Sequence, residues 1–196
     1  MSLHVTVGCM FSGKTTHALG VLSRSMSIDY DTLMLVPCVQ SPPADGSSAR
    51  MFERCTRLCV PTLHEVRNDP RYASADVVVV EEAHFFSDLK DFCLVAVETD
   101  RKHVHVYGLD GTFDRQLFGQ LAELLPLADT FEKLTALCSV CRDGTPAQFS
   151  FRHQLSNATI VLGGADVYMP LCRRHYLDST RHRRNVLTLT DSTSVK

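Results

Sequence analysis

A chain of 196 residues that is 44% hydrophobic has room for a sizeable core and fits one globular domain with a small appendage. A net charge of −2 and a pI near 6.5 exclude a whole-molecule electrostatic pull toward nucleic acid or membrane, so neither is expected as a partner. Met1-Ser2-Leu3 leads straight into a strand-like run and no apolar stretch approaches the ~18 residues of a membrane span. A leaderless, cytoplasmic protein is therefore expected, in which eight cysteines act as metal ligands or free thiols rather than as bridges.

The alternating run Leu3 to Val7 predicts a strand and Thr16 to Met26 a helix. Between them Gly8-Cys9-Met10-Phe11-Ser12-Gly13-Lys14-Thr15 fits the phosphate-binding pattern G-x-x-x-x-G-K-[ST] in its required strand–loop–helix setting. Backbone N–H groups and the positive end of the helix cradle polyphosphate in such a loop. Lys14 reaches the β and γ phosphates, and the Thr15 hydroxyl ligates Mg²⁺. The whole loop from Gly8 to Thr15, with Thr16, is the expected nucleoside-triphosphate-binding element. Asp31 to Pro37 predicts a second buried strand, ended by proline. Ser41 to Ala49, rich in Pro, Ser and Gly, reads either as a mobile loop beside the phosphates or as an ordinary surface connection.

Leu58 to Val60 predicts a short strand and Thr62 to Val66 a helical turn. Ala75 to Val80 is an apolar, β-branched run of the kind that parallel strands covered on both faces require. Helical periodicity follows from Ser87 to Asp100, then a strand at His103 to Gly108 and a short helix at Phe118 to Leu125. This alternation predicts an α/β fold: a P-loop NTPase-like, mostly parallel sheet flanked by helices, over residues 1–134, with ligands at the carboxyl ends of the strands.

The strand Ala75 to Val80 runs straight into Glu81-Glu82, roughly 65 residues after the loop, where a carboxylate orders Mg²⁺ and its water near the γ phosphate. Either acid can serve. If an alcohol receives the phosphate, a carboxylate must also take its proton, and two neighbouring acids can divide these tasks. Adjacent strand residues face opposite ways, so one of the two is expected to point at the substrate.

From Thr135 the texture changes. Cys138-Ser-Val-Cys141 and Cys172-Arg-Arg-His175 are two knuckles with the spacing of a structural Zn²⁺ site, with Cys138, Cys141, Cys172 and His175 as ligands; His153 lies outside either knuckle and fits less well. Four protein ligands leave no open position for water, so this metal staples the ends of Arg142 to Leu171 together. Within that segment Thr159 to Leu162 predicts an apolar strand before Gly163-Gly164. Residues 135–178 read as a second, small unit. Residues 179–196, with Arg181-His-Arg-Arg184 and Ser/Thr-rich sequence, read as a frayed tail or as a regulatory or anion-binding element.

In order, Gly8 to Thr15, Glu82-Ala-His-Phe-Phe86, Leu109-Asp-Gly-Thr-Phe113, Phe118-Gly119, the two cysteine knuckles and Gly163-Gly-Ala-Asp-Val-Tyr168 closely resemble the zinc-containing, cellular-type (type II) thymidine kinases, over residues 3 to about 177. The resemblance implies ATP-dependent phosphorylation of the thymidine 5′-hydroxyl to give dTMP and ADP. It implies Glu82 as general base, Thr15 and Glu81 at Mg²⁺, and the zinc-clamped segment as a "lasso" that reads the thymine edge through the backbone of Val161 and Gly163. Tyr168 touches sugar or base, Ser150 sits in the pocket, and Met10, Phe85, Leu109, Phe113 and Phe118 line it, although each of these apolar residues also suits plain core packing. A homotetramer and feedback inhibition by dTTP are further implications.

Several residues depart from the family pattern. Glu81 stands where Asp is usual and His84 where Gln is common. The Lys-Pro-x-x-Asp-x-Arg run after the second strand is missing, which leaves Arg50 or Arg54 as substitutes for its arginine. Asp110 and Arg115 have no assigned task beyond stabilising their turn. A reading from another class is a P-loop ATPase whose zinc ribbon binds nucleic acid or a protein; it requires a basic, aromatic face, and Arg142 to Leu171 holds only Arg142, Arg152 and His153 as basic groups. A catalytically dead paralogue is disfavoured by intact Lys14, Thr15 and Glu82.

Overall fold

The computed structural model describes residues 1–38, 55–154, 156, 158 and 160–193, with side chains up to residue 183. Six strands form one wholly parallel sheet: β1 (Ser2–Gly8), β2 (Thr32–Pro37), β3 (Thr56–Val60), β4 (Val77–Val80), β5 (His103–Gly108) and β6 (Thr130–Leu134). Their spatial order is β3-β2-β4-β5-β1-β6. Because β5 lies between β4 and β1, the loops leaving these three strands emerge side by side. The phosphate loop, the acidic pair and the Leu109 loop are thereby brought to one edge.

The strands alternate between two packed layers. Val78, Val80, Leu33, Leu35, Val104 and Val106 pack beneath Leu89, Phe92 and Ala96, from α3 (Leu89–Leu94) and the π-helical turn Val95–Thr99 that continues it. Met34, Val36, Val79 and Tyr107 pack against Ala18, Leu19 and Leu22 of α1 (Lys14–Met26). With both faces covered, β4 is buried along its whole length, as its run of four valines requires. A short α2 (Pro70–Ser74), whose Asp69 carboxylate accepts the Arg71 N–H at 2.9 Å, leads into β4.

The second unit is smaller. Antiparallel β7 (Ala136–Leu137) and β8 (Pro146–Ala147) lie beside antiparallel β9 (Phe149–Arg152) and β10 (Tyr168–Leu171), followed by α4 (Arg173–Thr193). Its core joins Ala136, Cys138, Ala147, Leu171, Cys172 and Tyr176 to Cys9 of the phosphate loop.

Four findings differ from the sequence expectations. Strand β6 was not foreseen: Thr130-Phe-Glu-Lys-Leu134 is an exposed edge strand and carries no buried face to mark it. Residues 160–162 are not a strand; Ile160 and Leu162 are 49% and 58% exposed and line a cleft instead of pairing, while Thr159 lies outside the described residues. The backbone from residue 179 to 193 continues α4 rather than fraying. Cys38 and Cys59, which were expected to be free thiols or metal ligands, are joined by a disulfide, because parallel β2 and β3 end next to one another. The Ser41 to Ala49 loop, Arg50 and Arg54 lie outside the described residues. Among the described residues no helix is long and apolar enough to cross a membrane.

Candidate active site

At the end of β1 the chain turns sharply, Phe11 taking a left-handed φ of 65° before α1 begins at Lys14. The first N–H groups of a helix lack intrahelical partners, so this end favours an anion. Lys14 is only 8% exposed, and its ammonium donates to the carbonyls of Gly8 and Cys9 at 3.1 and 2.9 Å. Burial pushes its pKa down, opposed by the charges of Glu82 and Glu81. The thiol of Cys9 points away from the cleft and donates to Ala147 O at 3.4 Å, and the N–H of Met10 donates to Ser150 Oγ at 2.9 Å. The loop is thus stitched to the second unit at both residues.

The acidic pair divides at the end of β4. Glu81 is buried and accepts a hydrogen bond from the Thr15 hydroxyl. Burial, reinforced by Glu82, raises its pKa to about 7. Glu82 adopts a left-handed backbone at φ 50°, uncommon for a non-glycine residue, and this turn carries it into the cleft that Lys14 and Thr15 also line. Thr15 and Glu81 together offer hard oxygen donors, one of them a buried carboxylate, and this donor set fits Mg²⁺.

Next to Glu82 stands a residue to which the sequence assigned no role. His84 is buried, and the Leu109 N–H donates to its Nδ1 at 3.1 Å, so the neutral ring carries its proton on Nε2, 3.6 Å from Glu82 Oε2. Burial, with the charge of Lys14, pushes its pKa down to about 3. Phe85 and Phe118 hold the ring, with centroids at 4.3 and 4.4 Å. Gly119 has a φ of 61°, and any Cβ there would lie 2.5 Å from the His84 carbonyl, so only glycine lets the two backbones meet.

A cleft of about 510 Å³ extends from this point. Met10, Phe11, Ser12, Gly13, Lys14, Thr15 and Thr16 line one end. Phe85, Leu109, Phe113, Phe118, Ser150, Val161, Gly163 and Tyr168 line the other, with Glu82 on the same surface. Gly8, Cys9 and Glu81 stand behind the wall rather than in it. His84, Gly111, Thr112, Ile160 and Leu162 line it too and were not foreseen. The Tyr168 hydroxyl donates to Val161 O at 2.8 Å. Gly163 is packed so closely that a Cβ would come within 2.2 Å of Val167 Cγ2. Asp110 pairs with Lys133, and the Arg115 guanidinium lies 5.0 Å from the centre of the Tyr176 ring, so both brace the Leu109 to Phe113 loop.

Behind the flap between β9 and β10, Cys138, Cys141, Cys172 and His175 converge. His175 Nδ1 lies 3.5, 3.3 and 3.4 Å from the three sulfurs, and Cys141 Sγ lies 3.9 Å from Cys172 Sγ. A tetrahedron with Zn–S of about 2.3 Å and Zn–N of about 2.0 Å has edges of about 3.8 and 3.5 Å, so these residues fit the ion. Although burial raises the pKa of Cys138, backbone N–H donors from Cys172, Cys141 and Val140 outweigh it and bring the thiol down to about 6, which favours the thiolate ligand.

Residues 1–176 match the family model for thymidine kinase. The chain is 38% identical over 181 residues to a thymidine kinase of Oryza sativa subsp. japonica, with 90% of this chain and 66% of that protein covered. It is 37% identical over 183 residues to thymidine kinase a of Arabidopsis thaliana, covering 90% and 75%, and 34% identical over 176 residues to the cytosolic thymidine kinase of Cricetulus griseus, covering 89% and 72%. Since the match runs from the first strand through the last of the four clustered metal-ligand candidates, this chain belongs to the thymidine kinase family.

Proposed function

We propose that the protein transfers the γ-phosphate of ATP to the 5′-hydroxyl of thymidine, giving dTMP and ADP in nucleotide salvage. The observation that carries this reading is a single cleft lined at one end by the phosphate loop and at the other by an apolar pocket under a flap, with Glu82 on the same surface. The loop N–H groups and Lys14 hold the triphosphate, Lys14 exchanging its two carbonyl partners for phosphate oxygens. Glu82 accepts the proton of the attacking hydroxyl. Thr15 and Glu81 would hold Mg²⁺, which when bound neutralises charge on the β and γ phosphates.

At the other end Met10, Phe85, Leu109, Phe113 and Phe118 sandwich the base, and Ser150 and Tyr168 shape the pocket around it. Backbone N–H and C=O groups of Val161 and Gly163 read the thymine edge. Cytosine would set its amino group against a donor and leave buried groups unpaired, at about 1–3 kcal/mol each. Cys138, Cys141, Cys172 and His175 would hold a Zn²⁺ that is structural. The family resemblance supports a cytoplasmic homotetramer under feedback control by dTTP.

Incubation with ATP, Mg²⁺ and a panel of nucleosides tests the reading. Thymidine-dependent release of ADP with formation of dTMP is the expected result. ATP hydrolysis stimulated by nucleic acid instead, or no turnover with any nucleoside, would overturn it.

A further inference from the structure

The last helix of the chain reaches the flap from behind. α4 starts beside the metal cluster, with His175 in its first turn, and the Tyr176 hydroxyl donates to Phe113 O at 2.6 Å. Seven residues after Tyr176, on the same helix face, comes Arg183. Its guanidinium donates to Arg152 O and to Ser156 O, each at 3.0 Å. Arg152, fully buried at the end of β9, donates to Ser156 O and Ala158 O, each at 2.6 Å. Both guanidiniums also lie over the Phe113 ring, 3.6 Å away for Arg152 and 5.2 Å for Arg183.

Among the described residues neither arginine forms an ion pair with a carboxylate. Two like charges side by side are unfavourable, and burial together with Arg152 lowers the pKa of Arg183. The bonds they form go to carbonyls of the flap and to a ring of the pocket, which is an arrangement that holds shape. Ser156 and Ala158 lead directly into Ile160, Val161, Leu162 and Gly163, which line the cleft. The other limb is held separately, by His153 Nε2 donating to Asp166 O at 2.6 Å and by the Tyr168 to Val161 bond. Arg183 also lies outside the residues 1–176 that match the family.

We infer that Arg183 is a positioning residue for the thymidine site: through Arg152, Ser156 and the Phe113 ring, α4 fixes the flap in its base-reading shape without touching substrate. This rests on the thymidine kinase reading above. It assigns the last helix a task in substrate affinity and none in phosphoryl transfer.

Arg183→Met keeps the aliphatic stem and removes the donors. The expected result is a rise of about ten-fold in the KM for thymidine, with kcat and the KM for ATP changed less than about two-fold. Zinc content and melting temperature should match the parent, and Arg183→Lys should restore part of the affinity. Hydrogen exchange at the amides of residues 160–164, measured without substrates, should be faster in Arg183→Met. An unchanged thymidine KM with unchanged exchange would overturn the inference, as would a parallel loss of zinc and melting temperature, which marks a merely structural residue. If the parent protein fails to phosphorylate thymidine, the functional reading falls, and the exchange experiment still decides whether Arg183 holds the flap.

Discussion

At the phosphate end of the cleft, Lys14 and Thr15 open α1 just after β1, and Glu81 directly follows β4, strands locked into the sheet by a continuous parallel register. At the base end, Val161 and Gly163 lie in irregular chain between β9 and β10. A cysteine–histidine cluster, two arginines, His153 and Tyr168 hold this segment. On the proposed function, the groups assigned to phosphoryl transfer are thus placed by many cooperating backbone bonds, whereas those assigned to reading the base depend on a few discrete tethers. Changes at the first end should act on turnover, and changes at the second on affinity and selectivity.

Glu82→Gln should break the phosphate end most severely. It should lower kcat by about 10²–10⁴ while ATP binding, followed by titration, stays near that of the parent. A variant with full turnover would remove Glu82 from the base role. Cys141→Ser tests the strongest tether at the opposite end. It should lose bound metal by elemental analysis and lower the melting temperature by on the order of 10 °C; a metal-free, fully active variant contradicts the clamp.

Gly163→Ala is a milder change that sharpens the contrast. The new methyl must displace Val167, so the KM for thymidine should rise by about ten-fold and that for ATP should hold, with Val167→Ala restoring affinity in the double variant. The smallest effect is expected from His84→Gln and depends on pH. The folded pKa of His84, about 3, lies below that of the free side chain, so its contribution is fully present above pH 6.5 and is lost as pH falls toward 3. Relative to the parent, the glutamine variant should be roughly 2 kcal/mol better off at pH 5 than at pH 8, as read from urea melts at the two values. A difference independent of pH would show that the ring is not held neutral.

The regular end of the molecule was also the legible one. β1, α1, β2, β4 and β5 announce themselves through buried apolar runs and a glycine-lysine loop, because strands covered on both faces leave no choice of side chain. The same pattern misleads at the flap: Ile160, Val161 and Leu162 are apolar because they line a cleft, and periodicity cannot separate that from pairing. β6 and the far half of α4 escaped for the opposite reason, since exposed, polar surfaces such as Glu132 and Arg181-His182 carry no hydrophobic signature. The cysteine and histidine cluster was readable from spacing alone. His84, Arg152 and Arg183 were not, because their importance lies in which backbone group or carboxylate each one meets, and irregular chain brings those groups together without any fixed spacing in the sequence.

Cys9 links the two ends. It belongs by position to the phosphate loop, yet its side chain completes the core beside the cysteine–histidine cluster, packed with Ala136, Cys138 and Leu171. If the cluster holds Zn²⁺ as proposed, assembly of the enzyme has a direction: chain refolded without metal would form the sheet but leave the nucleotide cradle unsupported on one flank. ATP capture should therefore lag behind metal uptake in a refolding time course.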